Sequence, residues 1–302
     1  MTNYQRPHIL LIGSTGQVGF ELCRTLAPLG RVFSTARQGG EMQLDLTNAD
    51  NIQQVFTTIK PDLVVNAAAY TNVNQAETDQ TLAQQINATA VGQIGELAKK
   101  AKAPVVHYST DYVYLGNGTT AWLETDQTKP LNIYGKTKLL GEQYLIDSGA
   151  ESIILRTSWV YGLRGQNFLL TMRNLFANKD QLSVVNNEIG APTWSRMIAE
   201  TTNAMLAQTL SKETGTFQFA EKVGIYNFTA EGEASWYDFA CAIRDLSQAQ
   251  CQINPILSKE YPAPAKRPLN SRLNNQKFKE TFCLSLPDWR NSLVQCLGEV
   301  IV

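Results

Sequence analysis

The sequence predicts an α/β fold, a doubly wound parallel sheet joined to a second, smaller α/β domain. Short, wholly apolar runs such as Leu63-Val64-Val65 and Val105-Val106 suit strands buried on both faces. Through the first half of the chain these runs alternate with longer helical patterns, as βαβ units require. At 302 residues the chain also exceeds what one hydrophobic core usually organises.

In order, residues 8–12 read as a strand, 17–28 as a helix, 31–35 as a strand and 48–59 as a helix. Strand 62–66, helix 80–102, strand 104–109, helix 134–148 and strand 151–156 follow. Pro61 and Pro104 each precede a strand and end the helix before it. Beyond about residue 160 the rhythm loosens. A helix over 167–178, loops around Gly190-Ala191-Pro192-Thr193 and a helix near 195–210 are expected there. Gly224-Ile225-Tyr226-Asn227-Phe228 reads as a strand that rejoins the main sheet. Residues 255–275, rich in proline, arginine and asparagine, read as an extended loop. The expected division is a first domain over 1–160, with a return strand near 222–230, and a second domain mainly over 161–302.

Apolar residues make up 43% and charged residues 18%, ordinary values for a globular protein, and the formal net charge is −1. With no run of like charge, neither nucleic acid nor an anionic membrane is expected as a partner. A local basic pocket for a small phosphate ester stays open. The five cysteines are odd in number, widely spaced and without a Cys-x-x-Cys pair, which suits a reducing, cytoplasmic setting. His8 and His107 are the only histidines, so a histidine-rich metal site is excluded. The run Ile9-Leu10-Leu11-Ile12 is too short for a signal peptide core or a membrane span. Monomer and homodimer both remain open.

Strand 8–12 runs into Gly13-Ser14-Thr15-Gly16-Gln17-Val18-Gly19 and then a helix. Glycines there let the backbone turn tightly against a pyrophosphate, whose charge the helix N-terminus favours. The trio alone would also suit any tight strand-to-helix turn. Its place after the first strand points to a Rossmann-type dinucleotide site, with Gly13, Thr15, Gly16, Gln17, Val18 and Gly19 as its candidates. The second strand ends in Ser34-Thr35-Ala36-Arg37 with no carboxylate before Glu41. A guanidinium at Arg37 would favour a 2′-phosphate, and hence NADPH, although a solvated surface arginine would look the same. Asp45 and Leu46 are placed to meet the adenine edge, or simply to open a helix. The small residues of Asn66-Ala67-Ala68-Ala69-Tyr70-Thr71 leave room for a cofactor at a strand's carboxyl end, so Ala68, Ala69, Tyr70 and Thr71 join the candidates.

Tyr134 and Lys138 stand at i and i+4 and share one helix face. A phenol titrates near pH 10, so exchanging its proton at neutral pH needs a neighbouring ammonium to favour the phenolate. Lys138 could also bond the nicotinamide ribose. Tyr-x-x-x-Lys is common on surface helices and gains meaning only beside a dinucleotide turn. Strand 104–109 adds the third element, ending in Tyr108-Ser109-Thr110-Asp111-Tyr112. Thr110 there could bond the oxygen that Tyr134 protonates, or act as a strand-end turn residue.

Together these motifs resemble an extended short-chain dehydrogenase/reductase. Six segments in order carry a closer resemblance, to the dTDP-4-dehydrorhamnose reductase family. They are Gly16–Gly19, Asn66–Thr71, His107–Val113, Tyr134–Lys138, Arg156–Tyr161 and Gly190–Thr193, with Arg267-Pro268 and Asn270–Leu273 after them. The resemblance implies reduction of the C4 ketone of dTDP-4-dehydro-L-rhamnose, with hydride from NAD(P)H and a proton from Tyr134. It also implies that Tyr108 lies at the cofactor, that Thr110 and Asp111 touch the substrate and that Trp159 packs on its sugar. Arg267 and Arg272 are candidates for the substrate pyrophosphate, or solvated loop arginines. Some family members pair through magnesium held by glutamates. Glu21 matches one such position, but Arg196 stands where a second carboxylate is expected, which argues against magnesium here. The family often keeps an acidic residue after the second strand and tolerates NADH; its lack makes NADPH selectivity the expectation. Other nucleotide-sugar epimerases of the same fold, and non-catalytic dinucleotide-binding regulatory subunits, are the rival readings.

Overall fold

The computed structural model describes residues 6–211 and 213–299. A seven-stranded, wholly parallel sheet forms its centre. The chain begins with β1 (His8–Ile12), α1 (Gln17–Thr25), β2 (Arg31–Ala36), β3 (Met42–Gln43) and α2 (Ala49–Ile59). It continues through β4 (Leu63–Asn66), the short α3 (Val73–Ala76) and α4 (Gln80–Gln84), then α5 (Ala90–Ala101) and β5 (Val105–Thr110). Next come α6 (Ile133–Asp147), β6 (Ser152–Thr157), β7 (Val160–Tyr161), α7 (Phe168–Asn178) and β8 (Gln181–Val185). The small β9 (Ile189–Gly190) and β10 (Thr193–Trp194) lead into α8 (Ser195–Ala207) and β11 (Gly224–Asn227). The last elements are β12 (Ala234–Ser235), α9 (Trp236–Leu246), β13 (Gln252–Ile256), α10 (Gln276–Phe282) and α11 (Trp289–Gly298).

The strand order is β11-β6-β5-β4-β1-β2-β3. It reverses direction between β1 and β4, which opens a crevice at their carboxyl ends. Alternation along the strands builds two cores. Ile9, Leu11, Val65, Val106 and Leu155 pack under α1 and α8, and Leu10, Ile12, Val64, Val105 and Ile154 pack under α2 and α5. A third core around Trp194, Phe239, Trp289 and Leu293 supports the later elements, where β8 pairs in parallel with β13.

The helix expected over 80–102 contains a wide π-turn at Gln85–Thr89. The turn carries Asn87 inward, where its amide accepts from the Tyr70 N–H (2.8 Å) and donates to the Tyr70 carbonyl and the Thr137 hydroxyl (3.1 Å each). Asn48, Asn132 and Asn167 cap α2, α6 and α7. The 255–275 stretch starts inside β13 and then runs as a strap back to the first half. Its Lys266 carbonyl accepts from Asn132, and Asn270 donates to the Asn117 and Thr120 carbonyls.

One buried ion pair locks α6 to the sheet. Arg156 of β6 reaches Glu142 of α6 through two bonds, at 3.0 and 2.6 Å, and its third nitrogen donates to Tyr114 at 2.7 Å. Ser109 of β5 donates to the same carboxylate. Removing one partner strands a buried charge at a cost of about 3–5 kcal/mol, whereas removing both costs far less. Glu142→Ala is therefore expected to lose about that much stability in urea unfolding, and Glu142→Leu with Arg156→Met to regain a large part of it.

Candidate active site

The glycine turn works through close approach. Gly13 has φ of +86°, and a Cβ there would stand 2.7 Å from the Ala68 nitrogen; at Gly19 a Cβ would stand 2.1 Å from the Gly13 carbonyl oxygen. Any side chain at either position would push the turn off the β4 loop or off α1. Gly16 ends the turn as a cap without a side chain, so no side chain of the cap occupies the first amides of α1. Gln17 is bound elsewhere through its side chain, which accepts from Asn167 at 2.8 Å.

Beside the turn lies a cavity of about 410 Å³ lined by Gly13, Thr15, Arg37, Asp45, Ala69 and Tyr70, with Leu46, Ala68 and Thr71 also on its wall. Arg37 leaves the end of β2 and is exposed. Asp45 accepts from the Thr47 N–H (2.9 Å) and hydroxyl (2.7 Å), and these bonds, helped by Arg37, hold its carboxyl below the usual range. A glycine cradle with a cationic rim and no carboxylate at the end of β2 fits a dinucleotide carrying a 2′-phosphate.

The reactive groups gather at the carboxyl edge of β5. Asn132 accepts from the Gly135 N–H (2.8 Å) and starts α6 so that Tyr134, Lys138 and Glu142 fall on one inward stripe. Thr110 donates to Asp111 at 3.1 Å and accepts from the Tyr112 N–H at 3.2 Å. Its hydroxyl also bears on the Tyr134 phenol, whose pKa burial pushes up to about 12 against that contact. Tyr112 packs edge-on against Tyr134, with ring centroids 5.6 Å apart. Lys138 is 1% exposed and donates to the Tyr108 carbonyl at 2.6 Å. Burial, partly offset by Glu142, lowers its pKa to about 8. Tyr108 turns its own ring into the core, where the phenol meets Thr202 at 2.8 Å, so only its backbone faces the site.

Asp111 is 3% exposed, and burial raises its pKa to about 7 against the influence of the nearby Ser271 and Thr110 hydroxyls, of which only Thr110 makes a hydrogen bond to it. The buried Asp111 Oδ2, Arg267 Nε and Ser271 Oγ have no partners among the described residues. Polar atoms of this kind call for one.

A second and larger cavity, about 980 Å³, opens between α7, β8 and the strap and includes Glu188, Trp236, Lys266 and Arg267. Arg267 bears electrostatically on both Glu188 and Tyr112, so it stands between this cavity and the reactive edge. Trp159 adopts φ of +49° and stacks on Trp236, with centroids 3.6 Å apart. A bulky residue held in that region stores of the order of 1–3 kcal/mol of backbone strain. Trp236 in turn donates to Glu188 at 3.1 Å. Arg272 lies apart from this cavity, paired with Glu233 at 2.5 Å. Arg196 pairs with Glu21 at 3.1 Å, and among the described residues no three His, Cys, Asp or Glu side chains converge on a metal position.

Glu188, Trp236, Ser271 and His107 escaped the sequence-based site. Glu188 adjoins the Gly190–Thr193 segment and Ser271 sits within Asn270–Leu273, so both had a nearby marker. Trp236 had none, because only the folded chain brings it to Trp159.

A parallel sheet with a glycine cradle at its switch point and a Tyr-x-x-x-Lys stripe over β5 defines an oxidoreductase of the short-chain dehydrogenase type. A sequence model described as the RmlD substrate binding domain matches residues 7–302. The dTDP-4-dehydrorhamnose reductase of Escherichia coli K12 is 42% identical over 97% of this chain and 98% of its own length. A crystal structure of dTDP-4-dehydrorhamnose reductase from Bacillus anthracis, in complex with NADP, superposes with a TM-score of 0.88 at 30% identity, over 98% of this chain and all of the other. A Thermus thermophilus UDP-glucose 4-epimerase, at 18% identity and a TM-score of 0.72 over 91% of this chain and 93% of that one, shares the fold alone. The chain belongs to the dTDP-4-dehydrorhamnose reductase family.

Asp111 gives the site a pH signature. In the unfolded chain the carboxyl ionises above about pH 4, but in the folded protein only above about 7. The folded state therefore binds the extra proton between these values, and stability falls as pH rises through that window. Asp111→Asn is expected to raise Tm at pH 8 by several degrees and to change it little at pH 4, as followed by thermal unfolding.

Proposed function

We propose that this protein reduces the C4 ketone of dTDP-4-dehydro-L-rhamnose to dTDP-L-rhamnose, with NADPH as the reductant. The observation that carries the reading is the convergence of Thr110, Tyr134 and Lys138 at one sheet edge, beside a cradle where two glycines leave backbone bare. Bound NADPH supplies a hydride. Gly13, Gly16 and the first amides of α1 hold its pyrophosphate, Arg37 meets its 2′-phosphate, and the Ala68–Thr71 loop walls the crevice.

Tyr134 keeps its proton at neutral pH because burial raises its pKa, so a proton is at hand for the carbonyl oxygen, and the Thr110 contact, which works against burial, eases its release. Thr110 orients that oxygen and Lys138 helps hold the ribose. Asp111 and Ser271 offer unpartnered polar atoms to the sugar hydroxyls, and Trp159, stacked on Trp236, presents a flat apolar wall. Arg267 faces the cavity that would take the nucleotide diphosphate. Residues 161–302 would thus form most of the substrate side. The free thiols at Cys23, Cys241, Cys251, Cys283 and Cys296 support a cytoplasmic setting.

Loss of NADPH absorbance on addition of dTDP-4-dehydro-L-rhamnose tests the reading directly. Tyr134→Phe is expected to lower kcat by about 10²- to 10⁴-fold while NADPH still binds in a fluorescence titration. Failure of the wild type to oxidise NADPH with this ketosugar would overturn it. Arg37→Ala removes a charge-assisted contact worth about 1.5–3 kcal/mol. Its kcat/KM for NADPH is expected to fall about 10- to 100-fold while that for NADH stays nearly level.

A further inference from the structure

The indole of Trp159 is held by residues far from it in the chain. Its backbone takes a left-handed conformation that bulky residues rarely adopt, so its neighbours must fix it. Two contacts do so. At Gly190 the chain lies so close that a Cβ would stand 2.8 Å from the Trp159 Cε2, and the Trp236 ring stacks on the indole at 3.6 Å, with 9° between the planes. Trp236 is the first residue of α9, whose start is fixed by a capping box between Ser235 and Asp238. Phe168 of α7 also packs on Trp236, with centroids 4.6 Å apart. Ring contacts of this kind set the plane of an indole but leave it free to turn within that plane. A bond to its one N–H removes the freedom, and Trp236 Nε1 donates to Glu188 at 3.1 Å. The pairing of β9 with β12 puts the acceptor there. Gly190 stands opposite Ala234 and Ile189 opposite Ser235, so the next step sets Glu188 opposite Trp236.

Glu188 is out of keeping with its surroundings. It is 6% exposed, and among the described residues lining the larger cavity Lys179, Lys259, Lys266 and Arg267 are cationic while Glu188 alone is acidic. Burial pushes its carboxyl up, and Arg267 and the Trp236 N–H hold it back. A buried carboxylate costs stability and would repel an anionic ligand, so its presence calls for a gain elsewhere. That gain is a charge-assisted bond, stronger than a neutral acceptor would give, to the ring on which Trp159 rests. Resting on the reading of Trp159 as a wall for the sugar, we propose that Glu188 is a positioning residue which, through the Trp236 N–H, sets the Trp159 indole against the substrate. It acts through these two rings and not on the ketone itself. Because Arg267 faces the same carboxylate, the group that orients the sugar wall also steadies the cation at the diphosphate end.

Glu188→Leu removes the acceptor at similar volume. Its kcat is expected to fall about 10- to 100-fold with little change in KM for the ketosugar or in Kd for NADPH, because a shifted wall misaligns the bound ketone without loosening the ends of the ligand. Glu188→Gln keeps an acceptor for the indole but no charge for Arg267, and is expected to recover most of that loss. An unchanged kcat in Glu188→Leu, or equal losses in both variants, would overturn the proposal. Trp236→Phe keeps a stacked ring, lacks the N–H and should match Glu188→Leu. The two changes together should cost no more than either alone, and additive losses would also overturn it. A second readout needs no turnover. The five tryptophans give five indole N–H signals in ¹⁵N–¹H spectra, assigned by changing each to Phe in turn. Glu188→Leu is expected to move the signals of both Trp236 and Trp159; a Trp159 signal that stays in place would sink the proposal. Should Glu188→Leu fail to fold, the kcat of Trp236→Phe decides. Wild-type protein that never oxidises NADPH would end the reductase reading, and the Trp159 signal would still judge this arrangement.

Discussion

Glu142 and Arg156 meet in a space with almost no access to water, and the rest of the site hangs from that meeting. Two long side chains are held by four bonds, including those from Ser109 and Tyr114, so α6 can neither rotate nor slide on β5 and β6. The stripe that contains Glu142 also carries Lys138 and Tyr134, one and two turns earlier. An anchor two turns from a phenol is a stiff lever, since a helix transmits small rotations along its axis with little loss. A hydrophobic anchor of the same volume would hold the helix to the sheet but would leave its rotation far less defined.

The reactive edge is correspondingly dry. Thr110, Asp111, Lys138 and His107 are all at most 5% exposed, and their ionisation follows the protein more than the solvent. Burial pushes the phenol and the carboxyl up and the amine down, so all three drift toward their uncharged forms. Charge then enters at the rims, through Arg37 at one cavity and Arg267 at the other. In the proposed function, these cations would meet the anionic ends of a ligand whose middle lies at the dry edge.

Much of this was legible in the amino-acid order, for a physical reason. The β1 turn, the Ala68–Thr71 loop, the end of β5 and the Tyr134–Lys138 stripe are local features, each set by a few adjacent residues at strand or helix period. Their convergence follows from the topology of a parallel sheet. What stayed hidden is non-local. The Trp159–Trp236 stack, the Glu142–Arg156 pair and the turn of Tyr108 away from the cofactor side depend on elements far apart in sequence. The Asn87 π-turn was hidden differently, since one extra residue in a helix leaves the apolar spacing nearly intact. Residues 255–275 looked like loop because their asparagines and prolines are loop formers, yet those same side chains tie the strap to the first half.

The placement of β11 beside β6 has a further consequence. The chain leaves the sheet after Thr157 and re-enters it at Gly224 on the adjacent parallel strand, level with Ile153, so the two ends of that excursion stand about one strand length apart, roughly 14 Å. Bridging a fixed span of that size costs little more as the intervening chain becomes longer, because closure entropy grows only with the logarithm of length. The part of the excursion before α8 can therefore lengthen or shorten without disturbing the register beneath it, whereas α8 itself is fixed by its packing on the sheet. A scaffold of this kind lets ligand preference drift through evolution while the hydride-handling half stays as it is.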